Sequence, residues 1–274
     1  IPKGIEAIEK AYLKGIVSES RLAHSVKKIL MAKYKAGLHN YKPVKIDGLY
    51  KDLNAPQDTL LYAQAMAKAI TLVKNENRLL PLSKKTSLAH ITLGDASSVA
   101  YQKQLNRYAP ITSIIDITPE NALVKTAPFD TLIISFHRSN ENPWKASNFN
   151  EKELAIIKVL AQHKKIILNG FVRPYALAQI SEIQNIDAIL WSYQNSAIAQ
   201  QLSVEILFGV IGTYGTLPIS VEKRYSVGHG LFLDSIDRLG YATPAQVGFD
   251  PEKLKGLDEL AKIAIDSMMT PGIQ

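Results

Sequence analysis

The 274-residue chain is 46% hydrophobic, enough for one substantial core and for one or two domains. Its net charge of +7 invites an acidic partner, yet 32 Lys and Arg are dispersed among 25 Asp and Glu, and no stripe alternates basic residues with stacking aromatics, which argues against nucleic acid. The lack of cysteine excludes disulfides, thiol catalysis and thiolate metal sites, and no apolar run approaches the ~18 residues of a bilayer span.

In chain order, residues 5–13 carry helical spacing through Ile5, Ile8 and Tyr12, and Gly15 ends the helix. Ser18 or Ser20 caps a second helix running to Lys35, with Leu22, Val26, Ile29 and Leu30 on one face and Gly37 as its stop. Two helices without a sheet of their own need another surface to cover those faces. Residues 39–54 hold Pro43, Asp47 and Gly48 without a sustained period and read as a linker. Residues 56–68 are Ala-rich and helical, with Asn54 as N-cap and Pro56 near the start. Ile70-Thr71-Leu72-Val73 then turns β-branched, so helix passes to strand without a loop; Lys74-Asn75-Glu76-Asn77 supplies a turn before apolar Leu79-Leu80-Pro81-Leu82.

From Leu88 strands alternate with helices. Strands are expected at 88–93, 112–117, 131–136, 165–168 and 188–191, and helices at 97–108, shortly after Pro119, and at 150–162, 174–179 and 196–208. Runs such as Leu132-Ile133-Ile134 and Ile166-Ile167-Leu168 suit strands covered on both faces. The alternation predicts an α/β fold: a three-layer sandwich with a mainly parallel sheet flanked by helices, plus helical segments at both ends. Residues 217–221, with Pro218, read as an edge strand. In the tail, Asp250 caps and Pro251 begins an amphipathic helix through Met268, ahead of Pro271-Gly272.

The string Ala65-Met66-Ala67-Lys68-Ala69-Ile70-Thr71-Leu72-Val73-Lys74-Asn75 followed by Leu79-Leu80-Pro81-Leu82 resembles the entry to the second domain of glycoside hydrolase family 3. Further phrases fit. Gly15-Ile16-Val17, Ser20-Arg21, Ser25-Val26, Ile29-Leu30, Lys33 and Gly37-Leu38 resemble the close of that family's barrel domain. Asn169-Gly170 with Pro174-Tyr175-Ala176-Leu177 looks like its strand-to-helix turn, although Arg173 replaces the usual small polar residue. Glu205-Ile206-Leu207-Phe208-Gly209 and Gly215-Thr216-Leu217-Pro218-Ile219-Ser220-Val221 resemble its later phrases. The tail from Tyr241 to Leu254 is similar to the opening of a beta-lactamase-like serine hydrolase domain. The resemblance implies four parts: 1–38 as terminal helices of a preceding (β/α)8 barrel, 39–54 as linker, 55–230 as the α/β sandwich, and 231–274 as linker and first helix of a serine-hydrolase-like domain. Both neighbouring domains would be partners. The start, Ile1-Pro2-Lys3-Gly4, is not a signal peptide and lacks an initiating Met, so it reads as a cut end; an exported or periplasmic parent is the expectation.

The resemblance also implies an exo-acting retaining enzyme acting on a carbohydrate, of the β-N-acetylhexosaminidase type, a branch chosen for the serine-hydrolase-like continuation and the missing third domain of many glucosidases. Glucosidase specificity, or a non-catalytic brace or carbohydrate-binding module, are the alternatives. The family's nucleophilic Asp in an "S-D" phrase and the hexosaminidase His in "K-H-F-P-G-H-G" have no counterpart in this sequence, so no catalytic residue is assigned. Retaining hydrolysis needs two such groups roughly 5 Å apart. The segment His137-Arg138-Ser139-Asn140-Glu141-Asn142-Pro143-Trp144 lies past a strand's carboxyl end, where open sheets place ligands. Within it His137, Arg138, Glu141 and Trp144 are the substrate-binding candidates, set against a plain solvated loop. Ser25-Val26-Lys27-Lys28 and Tyr193-Gln194-Asn195 match short serine-hydrolase motifs, but no K-T-G follows, so they read as a helix surface and a turn. The six histidines lack metal-ligand spacing, and Gly228-His229-Gly230 reads as a turn. Gly94-Asp95-Ala96-Ser97-Ser98 is the place a phosphate would take at a helix start, but it lacks the glycine spacing. No metal and no cofactor is expected.

Overall fold

The computed structural model describes residues 1–83, 87–141, 144, 148–235 and 242–273. It divides into two units, Ile1–Asn54 and Ala55–Gln274.

In the first unit, α1 (Pro2–Leu13) and α2 (Glu19–Lys35) form where the apolar spacing places them, and Ser18 caps α2 by accepting from the Arg21 N–H at 3.2 Å. Gly37 takes a left-handed φ of 77°, the conformation that ends a helix and suits a residue without Cβ. Neither helix buries a residue, so Ile5, Ile8, Ile29 and Leu30 remain exposed. The expected linker contains one more turn of helix, α3 (Leu49–Leu53). Asn54 serves that turn: its side-chain amide donates to the Tyr50 carbonyl at 2.8 Å. It is therefore not the N-cap of the next helix, which starts from Ala55 with no side-chain cap and Pro56 at its first position.

The second unit runs through α4 (Pro56–Ala69), β1 (Thr71–Asn75), β2 (Leu88–Gly94), α5 (Val99–Tyr108), β3 (Thr112–Ile114), α6 (Ala122–Lys125), β4 (Thr131–His137), α7 (Glu151–Ala161), β5 (Lys165–Phe171), β6 (Ala188–Trp191), α8 (Ala197–Leu207) and α9 (Pro251–Asp266). The six strands form one sheet in the order β1-β6-β5-β4-β2-β3. Every neighbouring pair is parallel except β1 with β6, so the sheet is mixed and mainly parallel. Two cores sandwich it. Leu132, Ile134, Phe136, Ile166 and Leu168 pack toward Ile156, Ile157 and Leu160 of α7, whereas Ile133, Ile167, Phe171 and Leu190 pack toward Tyr101 and Leu105 of α5 and Val204 and Leu207 of α8. This two-sided burial explains the unbroken apolar runs, since consecutive strand residues face opposite layers. Each such side chain contributes about 1.5–3 kcal/mol by leaving water.

The helix-to-strand joint has a concrete anchor. Asn75 at the end of β1 binds Leu80 twice, its Nδ2 donating to the Leu80 carbonyl at 3.0 Å and its Oδ1 accepting from the Leu80 N–H at 2.9 Å. That clasp drives Leu80, 1% exposed, into the core.

Three further expectations need correction. Residues 217–221 do not form a sheet strand; β1 itself is the sheet edge, and the later chain folds over it, with the Leu231 N–H donating to the Leu72 carbonyl at 2.7 Å. The strand expected at 165–168 runs on through Asn169-Gly170 to Phe171, so the strand-to-helix turn falls at 172–173, just ahead of a 3-10 helix at Pro174–Gln179. Gly170 is there to admit Trp191: a Cβ would stand 2.4 Å from the Trp191 ring, whose Nε1 donates to the Val172 carbonyl at 2.8 Å. Finally, β3 stops at Ile114 rather than 117, as the chain turns away at Asp116 with φ of 51°.

Candidate functional site

The strand order fixes where a site would sit. From β2 the chain goes outward to β3 on one side and returns to β4 on the other, so β2 and β4 flank the topological switch point; ligands of open α/β sheets gather at strand carboxyl ends there. Among the described residues the crown at that end includes 95–98, 138–141 with 144, and 192–196, the segments after β2, β4 and β6.

The seam between β2 and β4 is closed by backbone. Gly94 pairs with His137, and a Cβ on Gly94 would lie 1.9 Å from the His137 carbonyl oxygen. The Asp95 N–H donates to that same carbonyl at 3.1 Å, so this turn spends on β4 a donor that a phosphate would require.

His137, the last residue of β4, is wholly buried. Its ring stacks on Phe171 with centroids 4.5 Å apart and meets the edge of Tyr101 at 5.8 Å. Nδ1 lies 2.7 Å from Asn195 Oδ1. Asn195 Nδ2 donates to the Ser97 carbonyl, so its Oδ1 must be the acceptor and His137 the donor. Burial depresses the His137 pKa from 6.5 to about 4, opposed by the Asn195 hydrogen bond. One strand over, buried His90 hydrogen-bonds the Ser135 hydroxyl through Nε2 at 2.7 Å; burial first, then His137, holds it down to about 3. Both rings are neutral near pH 7.

Arg138 is also engaged within the domain. Its guanidinium lies over the Phe136 ring, 4.7 Å from the centroid, donates to Glu153 at 2.6 Å and to the Asn148 carbonyl at 3.1 Å, and stands 3.6 Å from Asp95. Glu153 at the same time accepts from the Asn150 N–H at 2.8 Å and completes the capping box of α7. One arginine thus joins the end of β4, the start of α7 and the loop after β2.

Glu141 and Trp144 stand outward, Trp144 being 92% exposed. Asn142 and Pro143, named with them, lie outside the described residues. Of the four candidates, then, His137 and Arg138 are held by partners inside the domain, and Glu141 and Trp144 face solvent.

A clamp of two amides completes the crown. Asn195 Oδ1 also accepts from Gln200 Nε2 at 2.8 Å; Gln200 donates to the Ser97 carbonyl at 2.9 Å and accepts from the Tyr101 N–H at 2.9 Å. The Asn195 N–H donates to the Asn140 side chain. All three crown segments meet at Asn195. In the sequence Asn195 is visible only as the last residue of a Y-x-N string, and nothing local marks Asn140, Ser97 or Gln200.

The motif-like strings have ordinary places. Ser25 accepts from Arg21 on the exposed face of α2 in the first unit, while Tyr193, at φ of 61°, lies 2.6 Å from the Thr71 hydroxyl in the second. His229 sits in a turn and hydrogen-bonds the Val73 carbonyl at 2.8 Å through Nε2. Among the described residues no three His, Asp or Glu gather as a metal site, and no helix is long and apolar enough to cross a membrane. Beside the crown, where β3 ends early, a cavity of 360 Å³ opens near Thr92, Gln102, Asp116 and Lys152. A larger one, 660 Å³, lies at the opposite, amino-terminal ends of β4 and β5 beside Asp130, Lys165 and Asp187.

Comparison with known proteins agrees with this architecture. A solved β-glucosidase from Listeria innocua, in complex with gluconolactone, superposes with a TM-score of 0.56 at 18% identity, over 78% of this chain and 34% of that one. A family 3 β-N-acetylglucosaminidase from Paenibacillus sp. str. FPU-7 gives 0.54 at 17% identity, over 79% of this chain and 42% of that one. In sequence, a Formosa agariphila protein named "Putative beta-xylosidase" is 25% identical over 271 residues, covering 84% of this chain; the chain spans 35% of that relative's length. Residues 70–246 match the family model for the glycosyl hydrolase family 3 C-terminal domain, and the chain belongs to that family.

Proposed function

We propose that the chain is the second domain of an exo-acting retaining glycosidase of the β-N-acetylhexosaminidase type, whose nucleophilic Asp and acid/base lie outside residues 1–274. The observation that carries this reading is the engaged state of the crown. Glu153 and Asp95 face Arg138, His137 is buried, and Glu141 is the one carboxylate of the described crown that Arg138 does not engage. A retaining mechanism needs a nucleophilic carboxylate and an acid/base group about 5 Å apart, and with His137 buried the described crown offers at most one of the two, Glu141. Its role would be to cover a neighbouring catalytic barrel and to lend Glu141 and Trp144 to the sugar. The exposed apolar residues of α1 and α2 support assigning 1–38 to that barrel, with 39–54 as linker and 55–230 as the sandwich. Leu257, Leu260 and Ile263, exposed on α9, support 231–274 as the lead into a serine-hydrolase-like domain; Tyr241 lies outside the described residues.

The chain alone should not release nitrophenol from a chromogenic N-acetylglucosaminide, and turnover would overturn the placement of the catalytic pair. A second reading is favoured by the exposure of Glu141: glucosidase-type chemistry, in which the second domain contributes the acid/base. In the full-length parent, Glu141→Gln should lower kcat less than about tenfold. A fall of roughly 10²–10⁴, the usual worth of a general acid, would assign Glu141 that role and favour the glucosidase reading.

A further inference from the structure

We propose that Asn140, held by Asn195, is the positioning residue for Glu141; this rests on the crown reading above. The chain leaves the sheet at His137, and Arg138 anchors the first residue of the loop through Glu153, Asn148 and Asp95. Beyond that anchor Asn140 and Glu141 are exposed, and Asn140 is the one described residue between Arg138 and Trp144 whose side chain reaches back to the crown clamp. Asn140 directly precedes Glu141, and its Oδ1 accepts from the Asn195 backbone N–H. Asn195 is itself immobilised by His137, Gln200 and Ser97.

The chemistry fits a positioning role better than a stabilising one. Asn140 is exposed, so it shields no core, and the Asn195 N–H would turn to water if Asn140 were removed. What would be lost is the fixed exit of the loop. A side chain that must meet a sugar hydroxyl within hydrogen-bond distance is sensitive to displacements of about 1 Å, which can cost on the order of a hundredfold in rate. Two tethers separated by one residue, Arg138 at the base and Asn140 at the bend, leave Glu141 little freedom about where it stands.

Two measurements test this. In the chain itself, Asn140→Ala should speed amide hydrogen exchange at Asn195 at least tenfold, and Asn140→Asp, which keeps an acceptor oxygen, should not; unchanged exchange in the Ala variant overturns the link. In the full-length parent, Asn140→Ala and Glu141→Ala should each lower kcat/KM about tenfold, and the double variant should be no worse than either one, because both remove the same contact. Asn140→Asp should recover to within about twofold, and the urea midpoint of Asn140→Ala should match the unmodified protein. Additive losses, a fallen midpoint or an unaffected Asn140→Ala beside an impaired Glu141→Ala would overturn the positioning role. An unaffected Glu141→Ala would instead overturn the crown reading on which it rests.

Discussion

Between pH 7 and pH 4 the chain should lose on the order of 5 kcal/mol of stability, enough to unfold its second unit near the acid end of that range. The two buried histidines are the cause. His137 and His90 have folded-state pKa values of about 4 and about 3, against 6.5 for the ordinary side chain. In that window the unfolded chain takes up protons that the folded chain refuses, so stability rises with pH and falls as the pH drops below about 6.5. Below about 4 His137 is protonated in both states and its share of the loss is complete. Each ring would contribute about 3 kcal/mol or more at neutral pH, since one pKa unit is worth 1.36 kcal/mol. Geometry points the same way: His137 Nε2 and His90 Nδ1 have no hydrogen-bond partner among the described residues, so a proton placed there meets neither acceptor nor water. Urea unfolding at pH 7, 6, 5 and 4 measures the slope. His137→Phe keeps a ring to stack on Phe171 and removes one proton site, so its slope should be roughly half as steep whatever its stability at pH 7. A slope unchanged by that substitution would show that His137 is not the residue titrating.

Much of the sheet is legible in the sequence, for a reason visible in particular residues. Leu132-Ile133-Ile134 and Ile166-Ile167-Leu168 can be unbroken apolar runs only if both faces are covered, and that requirement alone calls for helices on two sides. The Asn75 to Leu82 phrase is recognisable because it encodes a physical object, a side-chain clasp that turns a leucine into the core. Strand direction is not written in that way: the face a residue occupies alternates identically in parallel and antiparallel strands, so nothing in Thr71 to Asn75 marks β1 as the one reversed strand. For the same reason residues 217–221 read as an edge strand, although the edge was already taken by β1. The crown was half legible. A polar cluster after β4 is where the sheet topology puts a site, but the partners that decide what each residue can do arrive from far along the chain. Glu153 reaches Arg138 across 15 residues and Asn195 reaches His137 across 58. Local sequence does not distinguish a histidine that faces a sugar from one held beneath a loop.

The most damaging single change we expect is Gly94→Ala. It adds one methyl group at the carboxyl end of β2, at a backbone φ of 103°, where an L side chain is strained even in open space. Here the space is not open: the new carbon would lie 1.9 Å from the His137 carbonyl oxygen and 2.7 Å from its carbonyl carbon. These are backbone atoms of β4, held by their pairing to β5 on the far side and to Asp95 on the near one, so no rotamer change can relieve the overlap. The strands must part at the switch point, which breaks the Asp95 to His137 hydrogen bond and shifts the Arg138 anchor. A loss of at least about 3 kcal/mol follows from overpacking added to backbone strain. Gly170→Ala provides the contrast. Its Cβ meets the Trp191 ring at 2.4 Å, a side chain that can be shortened, so Trp191→Leu should recover part of the stability lost in Gly170→Ala. No second substitution of a side chain should rescue Gly94→Ala. Gly256→Ala in α9, with nothing within 4 Å, should be neutral or stabilising by roughly 0.5–1 kcal/mol. Urea midpoints of the three variants and of the Gly170/Trp191 pair decide the matter. Near-native stability in Gly94→Ala would mean that β2 and β4 do not approach as closely as the seam requires, and the crown would then be more open at its centre than its hydrogen bonds imply.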